Sequence, residues 1–138
     1  MEEEKLTLTV VTPERAVLDK VECHEVTLPT LKGEIGVLPG HTPLITLVGI
    51  GTVSYRVGSR KVSLAVREGF AEIAGDSLRI LADRASTREA VDPVAVALEK
   101  SAAEERREHV VGNEQLDAVN ADVAYAEARL KIAAETPN

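Results

Sequence analysis

Gly33-Glu34-Ile35-Gly36-Val37-Leu38-Pro39-Gly40-His41-Thr42-Pro43-Leu44 (GEIGVLPGHTPL) is the stretch on which the reading of the fold turns. Three glycines, two prolines and a histidine fall within twelve positions. Glycine tolerates positive φ, while proline fixes φ and removes a donor. A run this dense in both is neither helix interior nor central strand. Ile35, Val37, Leu38 and Leu44 interrupt it with apolar anchors. The expectation is a shaped, partly buried loop fastened to a sheet, with its tip free for contact. A plain crossover between two sheets of a β-domain fits the same residues.

On the N-terminal side, Lys5 to Thr12 (KLTLTVVT) alternates, with Leu6, Leu8 and Val10 on one face and Thr7 and Thr9 on the other, as in a half-buried strand. Pro13-Glu14 turns the chain, and a short strand begins at Ala16 to Leu18. Val21 to Leu28 (VECHEVTL) reads as one strand, with His24, Val26 and Leu28 on the core face and Val21, Cys23 and Glu25 opposite. On the C-terminal side, Leu44 to Val48 is a short apolar strand stopped by Gly49-Ile50-Gly51. Gly58-Ser59 and Gly75-Asp76 are two-residue turns between alternating arms, Thr52–Val57 with Arg60–Arg67 and Gly69–Ala74 with Ser77–Ala82. Short strands at this spacing imply an antiparallel β-sandwich or flattened barrel of about eight to ten strands.

The pattern changes after Ala82. Asp83 to Ala90 reads as a polar link. From Val91 on, Ala, Glu and Arg replace β-branched alternation. Asp92-Pro93 starts a helix with a side-chain acceptor at the cap and proline at the first helical position. Val94, Ala97, Leu98, Ser101 and Ala102 form its expected stripe, with Lys100, Glu104, Arg107 and Glu108 opposite. Gly112-Asn113 is expected to end it and to cap a second helix, whose seam is Leu116, Val119, Val123, Ala126, Leu130 and Ala133. Thr136-Pro137-Asn138 closes that helix. The fold expected is therefore α+β: a β-sandwich over residues 1–85, then an antiparallel two-helix hairpin over residues 86–138. Alanine-rich faces bury little area, so the hairpin should dock weakly, and weakly held elements are where switches arise.

Composition narrows function. The formal charge of −7 disfavours bulk binding of nucleic acid or anionic lipid. Tyr55, Phe70 and Tyr125 are the only aromatic residues, so the core is aliphatic and no stacking platform for sugars or bases is evident. Cys23 stands alone, as a small buried hydrophobe would. Its neighbour His24 points to the other face of a strand, so the two cannot chelate one metal. No apolar run approaches the ~20 residues of a membrane span, and Met1-Glu2-Glu3-Glu4 is acidic where a leader would be basic. His24, His41 and His109 have no partners at diagnostic spacing, and no phosphate loop, nucleophile elbow or zinc helix is present. Glu34 and His41 share the central loop, which leaves a small acid–base enzyme as one alternative. A free-standing β-sandwich ligand-binding module is another.

The central run resembles the GExGxLPGHxPL-type signature of the epsilon subunit of F-type ATP synthases, called delta in mitochondria. The likeness extends over nearly the whole chain, a β-rich part followed by a helical hairpin. It implies a non-catalytic rotor subunit. The sandwich would sit on the central stalk beside the gamma subunit and against the c-ring, helping to couple proton flow to ATP synthesis. By motif position Glu34, Gly36 and His41 would make c-ring or gamma contacts. The hairpin would be a mobile arm that inserts into the alpha/beta catalytic head and blocks ATP hydrolysis, with Arg106, Arg107, Arg129 and Lys131 facing acidic surfaces there. Some members bind ATP through an L-D-x-x-R-A motif at the start of the first helix. The matching stretch reads Val91-Asp92-Pro93-Val94-Ala95-Val96. Asp92 stays, but Ala95 stands in the arginine's place and offers no guanidinium, so ATP binding is expected to be weak or absent and no cofactor is expected; the isolated histidines and cysteine lead to no expected metal either. The implied location is the cytoplasmic face of a bacterial inner membrane, or a thylakoid, with membrane contact only through partner subunits.

Overall fold

The computed structural model describes residues 4–135. The stop expected at Thr136-Pro137-Asn138 and most of the acidic start lie outside the described residues. Eight strands precede two helices: β1 Leu6–Val11, β2 Ala16–Cys23, β3 Glu25–Thr30, β4 Gly33–Val37, β5 Leu44–Val48, β6 Gly51–Val57, β7 Arg60–Ala74, β8 Ser77–Thr87, α1 Pro93–Arg107 and α2 Asn113–Ala134. A 3-10 turn at Arg88–Ala90 joins the two parts.

The strands run β2-β1-β8-β7-β5-β3-β4, and β6 pairs with both β3 and β7. All pairs are antiparallel except β1 with β8, which is parallel and ties the first strand to the last. The curled sheet closes over an aliphatic core that includes Leu8, Val10, Val26, Leu28, Leu64 and Ile80. The two-residue turns fall where expected, with Gly58 at φ 62° and Gly75 at φ 60°, conformations that glycine reaches at little cost.

Strand β7 organises this arrangement. Its first half pairs with β6, its second half with β5, and β8 follows it throughout. The two expected arms Arg60–Arg67 and Gly69–Ala74 are thus one strand, bent where Glu68 takes φ 46°. The bend reverses the alternation. Leu64 and Val66 face the core before it, Ala71 and Ile73 after it. A Cβ on Gly69 would collide with the backbone carbonyl of Leu81, so the close approach of β7 to β8 needs glycine there.

Several expectations are corrected. Gly33–Val37 is strand, not loop. It is the edge strand β4, paired with β3 alone, and an edge accepts glycines that a central strand does not. Only residues 38–43 form the loop. The run Val21–Leu28 breaks at His24, whose N–H donates to the Arg56 carbonyl. The break lets Cys23 and Val26 both face the core, whereas an unbroken strand places them on opposite sides. Residues 83–87, expected in a polar link, continue β8 because β7 pairs with them to Thr87, and the division expected at residue 85 falls within that strand.

The helices start as read but end and turn differently. Asp92 caps α1, its carboxylate accepting from the N–H groups of Val94 and Ala95 at 3.1 and 3.3 Å. The helix stops at Arg107, and Gly112, at φ 88°, precedes α2 with Asn113 as first helical residue. Val94 and Leu98, expected in the seam, are 72% and 68% exposed, while Val96 and Ala103 are buried. The charges explain the rotation: Glu99 and Arg106 share a face with Val96 and Ala103, and both pair with α2. Helix α1 packs on α2, and α2 in turn on β7 and β6.

Replacing Gly69 with alanine should destabilise the protein by about 2 kcal/mol or more, read by urea denaturation, because backbone must move to admit the Cβ. Burial raises the Cys23 thiol from 9.0 to about 11. The unfolded thiol therefore ionises first as pH rises. The Cys23 contribution is complete below pH 9.0 and is lost as the pH climbs toward about 11. A Cys23→Ala variant should show a flatter decline of stability across that window.

Candidate functional site

The motif residues lie on the edge strand β4 and on the loop that follows it, and that loop reaches the β7–β8 turn. Glu34 sits exposed on β4 opposite Pro29, and Gly36 is exposed opposite Thr27. The loop after β4 folds back through the His41 N–H to the Leu38 carbonyl at 3.1 Å, and the Gly40 N–H donates to the Asp76 carboxylate at 3.1 Å. That bond pins the loop to the β7–β8 turn. His41 is half-buried, its Nδ1 2.6 Å from the Thr42 carbonyl oxygen. No hydrogen bond joins Glu34 to His41 among the described residues, so the structure does not assemble the acid–base pair that the enzyme alternative requires. Leu31 and Leu38, 75% and 55% exposed, flank Glu34 and His41 in the chain.

A second surface was not read from the sequence. Leu47, Phe70 and Leu81 are direct cross-strand neighbours on β5, β7 and β8. All three are exposed although apolar, and Ile45, two residues along β5, is 69% exposed. They form a contiguous bare patch on the outer face, bordered by the opposed Glu72 and Arg79. Helix α2 covers the outer face of β7 at Ala65, in the first half of the strand, and leaves this second half uncovered. Apolar patches with a charged rim mark interaction sites. The signal was the parity of Phe70, which only the bend at Glu68-Gly69 turns outward.

The third element is the arm. Tyr125, Ala128 and Ile132 of α2 pack on Ala65, with Ile50 and Val91 beside them. Their three- and four-residue spacing is a second apolar face of α2 that the seam reading passed over. The Tyr125 hydroxyl lies 2.7 Å from the Ser86 hydroxyl of β8. Of the four basic residues singled out, three are engaged within the chain. Arg106 pairs with Asp122 at 3.0 Å, Arg107 donates to the Asn120 side chain at 3.3 Å, and Arg129 pairs with Glu99 at 2.7 Å while stacking on the Tyr125 ring. Lys131 is exposed near the end of α2. Asp92 is occupied as the helix cap, and Ala95 is an exposed first-turn residue.

Among the described residues no group of three or more potential metal ligands converges, and no helix is long and apolar enough to cross a membrane.

Comparison with known proteins agrees with this arrangement. Residues 5–88 match the family described as ATP synthase, Delta/Epsilon chain, beta-sandwich domain. The ATP synthase epsilon chain of Solibacter usitatus is 42% identical over 130 residues, spanning 93% of this chain and 95% of that protein. That of Desulfitobacterium hafniense is 39% identical, covering 91% and 92%. That of Bdellovibrio bacteriovorus is 33% identical, covering 96% of each. In three dimensions the chain is similar to one from the cryo-EM structure of the Euglena gracilis mitochondrial ATP synthase with OSCP, F1 and c-ring. The TM-score is 0.78 at 20% identity over 95% of this chain and 82% of that one.

Proposed function

The chain belongs to the ATP synthase delta/epsilon chain family, and from that premise we propose that it is the epsilon-type subunit of the central stalk, turning with the rotor of a proton-translocating F-type ATP synthase. It contributes no catalytic residue of its own. The observation that carries the reading is the bare patch of Ile45, Leu47, Phe70 and Leu81. A surface of that composition on a chain of charge −7 is suited to permanent burial against a partner, and the stalk partner in this reading is the gamma subunit.

The Glu34 and His41 end would meet the c-ring. Leu31 and Leu38 supply apolar contact there, and Glu34 supplies a charge whose exposed pairing is worth only ~0–1 kcal/mol. Such a charge sets orientation more than affinity. The exposed edge of β4 also offers unpaired backbone groups to a neighbouring segment. The chain would therefore be held at the membrane through its partners, on the cytoplasmic side of a bacterial inner membrane.

The helical part would be the inhibitory arm. The apolar contact of α2 with the sandwich rests on few side chains, which suits an element that leaves its place. When the arm leaves the sandwich and its two helices also part, Arg106 and Arg129 lose the partners they hold across the hairpin, and with Arg107 and Lys131 they form a basic face for the alpha/beta head. Fully extended as helix, residues 92 to 134 would reach ~65 Å. ATP would not govern the arm directly, since Ala95 has no group for a phosphate and Asp92 already accepts two backbone N–H groups.

Two measurements test this. Phe70→Asp should lower affinity for the isolated gamma subunit by at least about tenfold, read by calorimetric titration. Unchanged affinity removes the patch from the interface. Truncation after Ala90 should leave that affinity intact and raise ATP hydrolysis by the assembled complex. Unchanged hydrolysis removes the inhibitory role while leaving the stalk role standing.

A further inference from the structure

The two helices carry one pattern twice. Val96, Glu99, Ala103 and Arg106 occupy the inner face of α1. Val119, Asp122, Ala126 and Arg129 repeat the same types at the same spacing, twenty-three residues further on. Packed antiparallel, each acid meets the other helix's arginine: Glu99 with Arg129 at 2.7 Å, and Asp122 with Arg106 at 3.0 Å. The apolar members of the pattern, Val96, Ala103, Val119 and Ala126, are all buried. The seam is therefore reciprocal, and its charges fix both register and direction.

One member departs from the symmetry. The second carboxylate oxygen of Asp122 accepts from Arg67 of β7 at 2.7 Å. Asp122 thus joins the sheet, α1 and α2 at once. Among the described residues Glu99 pairs with Arg129 alone, and no ion pair links it to the sheet. A recess of about 270 Å³ beside Asp122 is lined by Arg67, Arg84, Arg106 and Arg129, with Glu99 and Asp122 as the only carboxylates in its lining. Arg84 has no ion pair among the described residues. Within this recess, loss of the Asp122 charge would leave four guanidinium groups around Glu99, while Glu14 and Asp83 line the adjoining recess with Arg84 and Arg129.

We propose that Asp122 is the latch that couples packing of α1 on α2 to docking of α2 on the sandwich. Neutralising it loosens both contacts together, whereas breaking the symmetric pair at Glu99 loosens α1 alone. The same carboxylate decides how the arm answers ionic strength. Attraction to Arg67 and Arg106 holds the arm in the native chain. Repulsion among the arginines drives it off when the charge is gone. This proposal rests on the reading of the helical part as a releasable arm, and the experiment separates the two.

Amide hydrogen exchange of the full-length chain provides the test, compared among the wild type, Asp122→Asn, Glu99→Gln and Arg106→Gln. Asp122→Asn should speed exchange across both 93–107 and 113–134 by roughly 5- to 30-fold, with β1 and β8 unchanged. Glu99→Gln and Arg106→Gln should speed it in 93–107 only. Raising salt from about 0.05 to about 0.5 M should speed arm exchange in the wild type and slow it in Asp122→Asn, since salt screens attraction in one and repulsion in the other. The latch is overturned if Asp122→Asn matches Glu99→Gln, if the salt response keeps one sign, or if β1 and β8 lose protection with the arm. If the arm of every variant stays as protected as β1 and β8, the releasable arm itself is overturned.

Discussion

The constraint on which the molecule depends is the contact between Gly69 and the backbone of Leu81. There β7 passes so close to β8 that a side chain has no room, and the adjoining Glu68 adopts a left-handed conformation. The bend reverses which side chains face inward. It lets one strand of fifteen residues serve β6 with its first half and β5 with its second, while the core continues without a gap from Leu64 and Val66 to Ala71 and Ile73. The same reversal decides the exterior. Ala65 turns outward under α2, and Phe70 turns outward into solvent. Core, arm platform and bare patch all follow from one local backbone conformation.

The sandwich and the arm are held by different physics. The sandwich buries an aliphatic core with very low exposure, and burial of that kind is not screened by salt as charge pairs are. The arm sets a few apolar side chains and the Arg67–Asp122 pair against the sheet, and within the arm a small buried seam of Val96, Ala103, Val119 and Ala126 is framed by the pairs Arg106 with Asp122 and Arg129 with Glu99. Partly exposed pairs contribute little each, but they impose direction and register, as the repeated Val–acid–Ala–Arg face shows. A body fixed by a large core and an appendage fixed by a small seam with charge pairs around it fit the proposed role, in which the body grips a shaft and the appendage is free to respond.

Family membership and geometry point the same way because they rest on separate features. The match to relatives runs over nearly the whole chain. The geometry adds where contact can occur: at the β4 end near Glu34 and His41, and at the row Leu47, Phe70 and Leu81. These surfaces differ in character. The first is a polar tip with leucines beside it, and the second is an apolar row with a charged border, so they are suited to different neighbours.

The order of elements, the two glycine turns, the start of α1 at Asp92-Pro93 and the aliphatic nature of the core were all written in local sequence. Turn chemistry, capping and alternation act over a few residues and can be read without knowing what lies across the sheet. The motif GEIGVLPGHTPL carried the family by itself. Tertiary structure alone decided that Gly33–Val37 is an edge strand, since glycine is tolerated where only one neighbour must be paired. It decided that Cys23, expected to be buried, shares the core with Val26, because the chain breaks at His24 to meet Arg56. It decided that Val96 rather than Val94 faces α2, because two arginines and two carboxylates had to find one another across the hairpin. Each of these outcomes depends on a partner remote along the chain, and local pattern carries no record of which partner that is.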